Sequence, residues 1–105
     1  MPALVMKWEY TYDKEGTWFD NDSGTETYDL VQGASYILPH LSKKSLEIVS
    51  VTKEADTIKA TIYVDYSTVE VSSDSDGTEA HASYSYCAAG DCVFQSLKML
   101  LTIEK

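Results

Sequence analysis

Apolar residues in this chain tend to recur at every second position. Leu4, Met6, Trp8, Tyr10 and Tyr12 alternate with polar neighbours, and so do Ile58, Ala60, Ile62, Val64 and Tyr66. A period of two is the pattern of a strand with one buried face. In "LEIVSVT", residues 46–52, the apolar phase slips between Ile48 and Val49, which predicts a bulge or burial on both faces. Shorter strands are expected over 25–31 and 34–38, hinged at Gln32-Gly33 and stopped by Pro39, and over 68–71. "HLSKKS", residues 40–45, is irregular or a single helical turn. Turn chemistry marks "DKEG" (13–16), "DNDSG" (20–24) and "SSDSDG" (72–77), with a short aromatic piece, "TWF", between the first two. No segment carries a sustained helical period with caps, and β-branched and aromatic residues fill the apolar positions.

The segment 78–101 yields a register. If "AAGD" is a four-residue hairpin loop, Cys87 faces Cys92. Tyr86 then pairs with Val93, Tyr84 with Gln95, Ala82 with Leu97, Ala80 with Met99 and Thr78 with Leu101. These pairs form one largely apolar face. The other carries Ser85-Phe94, Ser83-Ser96, His81-Lys98 and Glu79-Leu100. A slip of one residue would mix the two faces, so the clean sorting supports this pairing. Cross-strand cysteines lie near the separation that a disulfide needs. Cys87 and Cys92 are therefore read as a clip, or as two reduced thiols if the compartment is reducing. The C-x4-C spacing does not match a thioredoxin-type couple. A zinc site is disfavoured because His81 lies six strand residues from Cys87, on the order of 20 Å.

Together these elements predict one domain over residues 1–105: an all-β, mostly antiparallel sandwich of about seven strands, immunoglobulin-like in layout. A small closed β-barrel is the alternative that the same alternation permits. A chain of 105 residues can close a single core without several disulfides or a structural metal.

Charge narrows the function classes. There are 17 acids against 8 bases, a formal net charge of -9, and all the bases are lysine. Without arginine, and with this negative field, neither nucleic acid nor an anionic membrane is an expected partner. A protein with a basic surface is. No secretory leader and no transmembrane segment is read in the sequence, and the compartment is left unassigned. Enzymatic machinery is also not legible. The glycines form no phosphate-cradling cluster, and His40 and His81 form no helical metal pair. No cofactor is expected.

Two stretches carry candidate binding residues. In "GTWFDNDSGTE", residues 16–26, Trp18 is followed by Asp20, Asp22 and Glu26. An exposed aromatic beside carboxylates suits a protein contact or sugar stacking, although an adjoining loop could equally bury both Trp18 and Phe19. In the 72–77 turn, Asp74, Asp76 and Glu79 are the only calcium candidates. The loop lacks an EF-hand's first Asp, its terminal Glu and its flanking helices, and a solvated turn explains the same residues. The functional expectation is a non-enzymatic binding or accessory domain. The alternatives are an acidic inhibitor or mimic that occludes a basic surface, and a carbohydrate- or calcium-binding module.

Overall fold

The computed structural model describes residues 2–15 and 18–105. Among the described residues, eight strands form two antiparallel four-stranded sheets stacked as a sandwich. The long sheet has the order β2-β1-β8-β7 and comprises β1 (Ala3–Lys14), β2 (Trp18–Asp29), β7 (Thr78–Ala88) and β8 (Asp91–Glu104). The short sheet has the order β3-β4-β5-β6 and comprises β3 (Ser35–Ile37), β4 (Ser45–Glu54), β5 (Thr57–Val64) and β6 (Ser67–Ser72). The sheets do not close into a barrel. The strand order also differs from the immunoglobulin one, in which neighbours within a sheet are often distant in sequence. Here every neighbour is consecutive except β1 and β8, which join two terminal hairpins into one sheet.

The period-two pattern does what it predicts. Leu4, Met6, Trp8 and Tyr10 of β1 and Leu97, Met99, Leu101 and Ile103 of β8 face Leu46, Ile48, Ile58, Ala60, Ile62 and Val64 of the short sheet. Fully burying such side chains contributes about 1.5–3 kcal/mol each relative to exposure. The phase slip in β4 is a bulge. The register with β5 shifts between Ile48 and Ser50, Val49 is left exposed, and Val51 comes opposite Ala60. The β7–β8 register is the one that the apolar sorting demands, from Thr78 opposite Leu101 to Cys87 opposite Cys92.

Three expected turns are corrected. Residues 20–24 are not a turn. They lie inside β2, paired one for one with Tyr12 to Trp8. The long alternating β1 offers a ladder of backbone groups, and pairing along it outweighs the local preference of Asp, Asn and Gly. Of the turn expected over 13–16, Asp13 and Lys14 are already strand, and Gly16, with Thr17, lies outside the described residues. The third correction concerns the 87–92 loop, which is tighter than four residues. Ala88 pairs with Asp91, leaving Ala89 (φ 52) and Gly90 (φ 85) as a two-residue turn. Positive φ at both positions fits a type I′ turn, whose twist matches that of the strands it joins.

Strand length positions everything that follows. The strands of the long sheet run 11–14 residues and those of the short sheet 3–10. The excess lies at the end with the β1–β2 and β7–β8 turns, so the long sheet projects there past its partner. The molecule is 55 Å long and about 21 by 17 Å across.

Candidate functional site

Beyond the row Tyr10–Leu97–Ala82, the inner face of the long sheet has no opposing strand among the described residues. Two more rows follow. One is Asp20–Tyr12–Gln95–Tyr84, and the last is Trp18–Lys14–Val93–Tyr86. Alternation sets these residues on the same face as the core, but the short sheet has ended, so their rings remain partly in water. Trp18 is 63% exposed and Tyr86 45%. Tyr12 and Tyr84 are half-buried against the edge of the core. The projecting end is therefore a ledge with four aromatic side chains on one face.

The end of the short sheet forms the wall behind the ledge. Segment 38–44 anchors itself with Leu38 and Leu41 in the core. His40, in a left-handed conformation (φ 63), stacks on Tyr10 with ring centroids 4.3 Å apart and meets Trp8 edge-on at 5.3 Å. Its Nε2–H donates to Asp22 Oδ2 at 2.7 Å. That hydrogen bond, together with the Ser23 amide donating to Asp22 Oδ1 at 2.9 Å, holds the Asp22 carboxyl below its ordinary value. Burial, aided by Tyr12 and Asp20, pushes the Tyr10 phenol up.

An ion pair fixes the β5–β6 turn to this wall. Asp65 (φ 48) and Tyr66 (φ 66) form a two-residue turn with positive φ at both positions. That conformation costs a bulky residue such as Tyr roughly 1 kcal/mol. Asp65 offsets it. Its Oδ1 accepts from Lys44 Nζ at 2.7 Å and its Oδ2 from the Ser83 amide at 3.0 Å. Burial pushes the Asp65 carboxyl up, but these hydrogen bonds and the Lys44 charge outweigh it, and the net shift is downward. Lys44 is correspondingly raised, chiefly by Asp65. Lys44 Nζ also sits 5.1 Å from the ring centre of the exposed Tyr66. Between wall and ledge lies a cleft of about 380 Å³, lined by residues 40–44, Tyr84, Tyr86 and Gln95.

The structure brings together most of what the sequence singled out on β2. Trp18, Asp20, Asp22 and Glu26 occupy alternate positions of one strand and face the same side. Trp18 and Asp20 are on the ledge, Asp22 is held by His40, and Glu26 lies further along, opposite Met6. Both Trp18 and Phe19 are exposed, so no loop buries them. Asp74, Asp76 and Glu79 are not gathered. Asp74 Oδ2 accepts from Thr57 Oγ1 at 2.6 Å, Asp76 sits in the 73–77 connection, and Glu79 lies on β7 with its carboxylate 3.5 Å from Lys98 Nζ. Among the described residues, no three His, Cys, Asp or Glu side chains are placed to hold a metal ion.

Cys87 and Cys92 are joined in a disulfide across the tip of the ledge, with Cα atoms 4.0 Å apart. Glu15 Oε1 accepts from the Cys92 amide at 2.8 Å and so ties the first hairpin to the second. Sequence reasoning did not single out Tyr12, Tyr84, Tyr86, His40 or Lys43. A signal for the tyrosines was present. The hairpin register put Tyr84 and Tyr86 on the apolar face within a few residues of the turn, beyond the reach of strands as short as those predicted for the chain's middle. Among the described residues, no helix is long and apolar enough to cross a membrane. No family model, no curated protein and no solved structure matches this chain.

Proposed function

We propose that the chain is a non-enzymatic binding domain that engages a protein partner with a basic surface through the projecting end of its long sheet. One observation carries this reading: Trp18, Asp20, Asp22 and Glu26 share one face of one edge strand, with the Trp18 ring in water. An exposed aromatic flanked by carboxylates supplies both an anchor that gains by leaving water and a field that attracts cations. The formal charge of -9 extends that field over the whole molecule. As an acidic surface that occludes a basic one, the domain fits an accessory or inhibitory role.

The test is kinetic. Partners captured on the immobilised chain are measured by surface plasmon resonance against three variants. The triple change Asp20→Asn, Asp22→Asn, Glu26→Gln is expected to slow association, with a loss that shrinks as salt rises. Trp18→Ala is expected to speed dissociation with little change in association, because an anchor acts mainly on the off-rate. Asp74→Asn, Asp76→Asn, Glu79→Gln is the control elsewhere on the surface. If the control slows association as much as the first triple change, the site is wrong. An acidic partner would defeat the electrostatic basis altogether.

A further inference from the structure

We infer that the cleft behind the ledge is a second binding site, for a pyranose ring that carries a carboxylate. It goes beyond the protein-docking reading: no residue of β2 lines the cleft, although Asp22 holds His40 at its edge, and the two readings are tested by different variants. The cleft's volume of about 380 Å³ falls at the small end of ligand pockets. Its floor is the pair Tyr84 and Tyr86, ring centroids 5.7 Å apart and tilted by 45°. Such a pair offers apolar ring faces to the C–H face of one sugar ring. The rim is polar, with Ser42 on the wall and Gln95 between the tyrosines and Tyr12. A polyhydroxylated ring would satisfy these groups as it displaced their water. A flat aromatic acid would leave them unpaired, which is costly for desolvated polar groups.

The carboxylate follows from charge. Lys43, Lys44 and His40 line the cleft, and two of them already have a carboxylate partner: Lys44 has Asp65 and His40 has Asp22, each at 2.7 Å. Lys43 differs. Its Nζ donates to the Tyr84 hydroxyl at 3.2 Å and lies 5.3 Å from that ring's centre, and it meets no carboxylate among the described residues. An uncompensated ammonium therefore faces the cleft in a chain where acids outnumber bases two to one. The overall negative charge is spread along 55 Å and screened over about 8–10 Å in physiological salt. An anionic group beside Lys43 feels the local charge first.

The experiment is an NMR titration of the ¹⁵N-labelled full chain with three probes: methyl β-glucuronide, methyl β-glucoside and benzoate. The glucuronide is expected to shift the amides of residues 40–44, 84–86 and 95 saturably. The glucoside should bind the same residues about fivefold more weakly, the upper range for an exposed ion pair, and added salt should narrow the gap. Lys43→Gln should erase the preference. Tyr86→Ala should weaken both sugars, Tyr86→Phe should retain them, and Trp18→Ala should change nothing. Unshifted amides of Leu97 and Met99 serve as the folding check. Equal binding of the two sugars by the unsubstituted chain, or a preference that survives Lys43→Gln, would overturn the assignment. So would benzoate binding more tightly than the glucuronide, or no saturable shift in the cleft.

Discussion

At the scale of single residues, Gly24 shows how a correct local preference leads to a wrong element. Beside Asp20, Asn21, Asp22 and Ser23 it reads as a turn glycine, yet it sits in mid-strand opposite Trp8. It is there because of close approach: a Cβ built on it would lie 2.7 Å from Trp8 Cζ2, inside any van der Waals contact. Trp8 is only 7% exposed and is also held by the His40 edge contact, so it has little room to yield. Gly24→Ala is expected to cost about 1–3 kcal/mol, the range for overpacking, in urea unfolding followed by tryptophan fluorescence. A loss under about 0.5 kcal/mol, the scale of an ordinary surface change, would mean that the edge strand simply moves aside. Asp22 has two jobs at this edge. Its one carboxylate accepts from both the Ser23 amide and His40. The first covers an edge donor that would otherwise be open to another strand, a known means of protecting sheet edges.

Among the elements, the β7–β8 hairpin was the most legible and β2 the least, and the difference is physical. The hairpin's inner face is backed by the core, so register and hydrophobic sorting carry the same information. β2 is an edge strand whose exposed face asks nothing apolar of its residues, and its conformation is dictated by a partner distant from its own turn signals. The hairpin's tip is a separate case. It stands clear of the short sheet and is held by the Cys87–Cys92 bond and by Glu15. Closing so small a loop contributes about 2 kcal/mol in the chain-entropy model, and a tip that frays without melting the core would register less than that. The double change Cys87→Ser, Cys92→Ser is therefore expected to lower global stability by no more than about 2 kcal/mol. Loss of hydrogen-exchange protection should be confined to residues near 84–95. Loss of protection in β4 or β5 would show instead that the clip supports the whole core.

For the whole molecule, the sandwich was legible from alternation, but the ledge was not. It arises from a difference in strand length between two sheets, and that depends on which strands pair. The radius of gyration is 15.2 Å, against about 13 Å for a compact chain of this size. Hydrogen-bonded carboxylates set the acid end of the pH range. Asp65 and Asp22 have lowered values in the folded state, so their stabilisation is present above the ordinary carboxylate range and is lost as pH falls through the folded values. Lys44 is raised by Asp65, and burial followed by Glu26 pushes Tyr28 up to about 12. Both contribute stability that is full below their unfolded values and is lost as pH rises through the folded ones. A plateau is expected between about pH 5 and 9, with an alkaline decline from about pH 10 to 12. Asp65→Asn should be less stable than the parent at pH 7 and indistinguishable from it near pH 2, by urea melts at each pH. A constant difference at both would remove Asp65 from the acid limb. The β1–β8 seam has a mechanical consequence. Ala3 faces Glu104 and Lys14 faces Val93, so the chain ends meet at the end of the seam opposite the ledge. Ladder bonds lie across antiparallel strands. A pull that separates the two ends therefore loads those bonds one pair at a time and opens the seam like a zipper from Ala3 and Glu104. A pull between the ledge and either end runs along the strands and loads many bonds at once. The same sheet is compliant to tension across its ends and stiff to tension along its length.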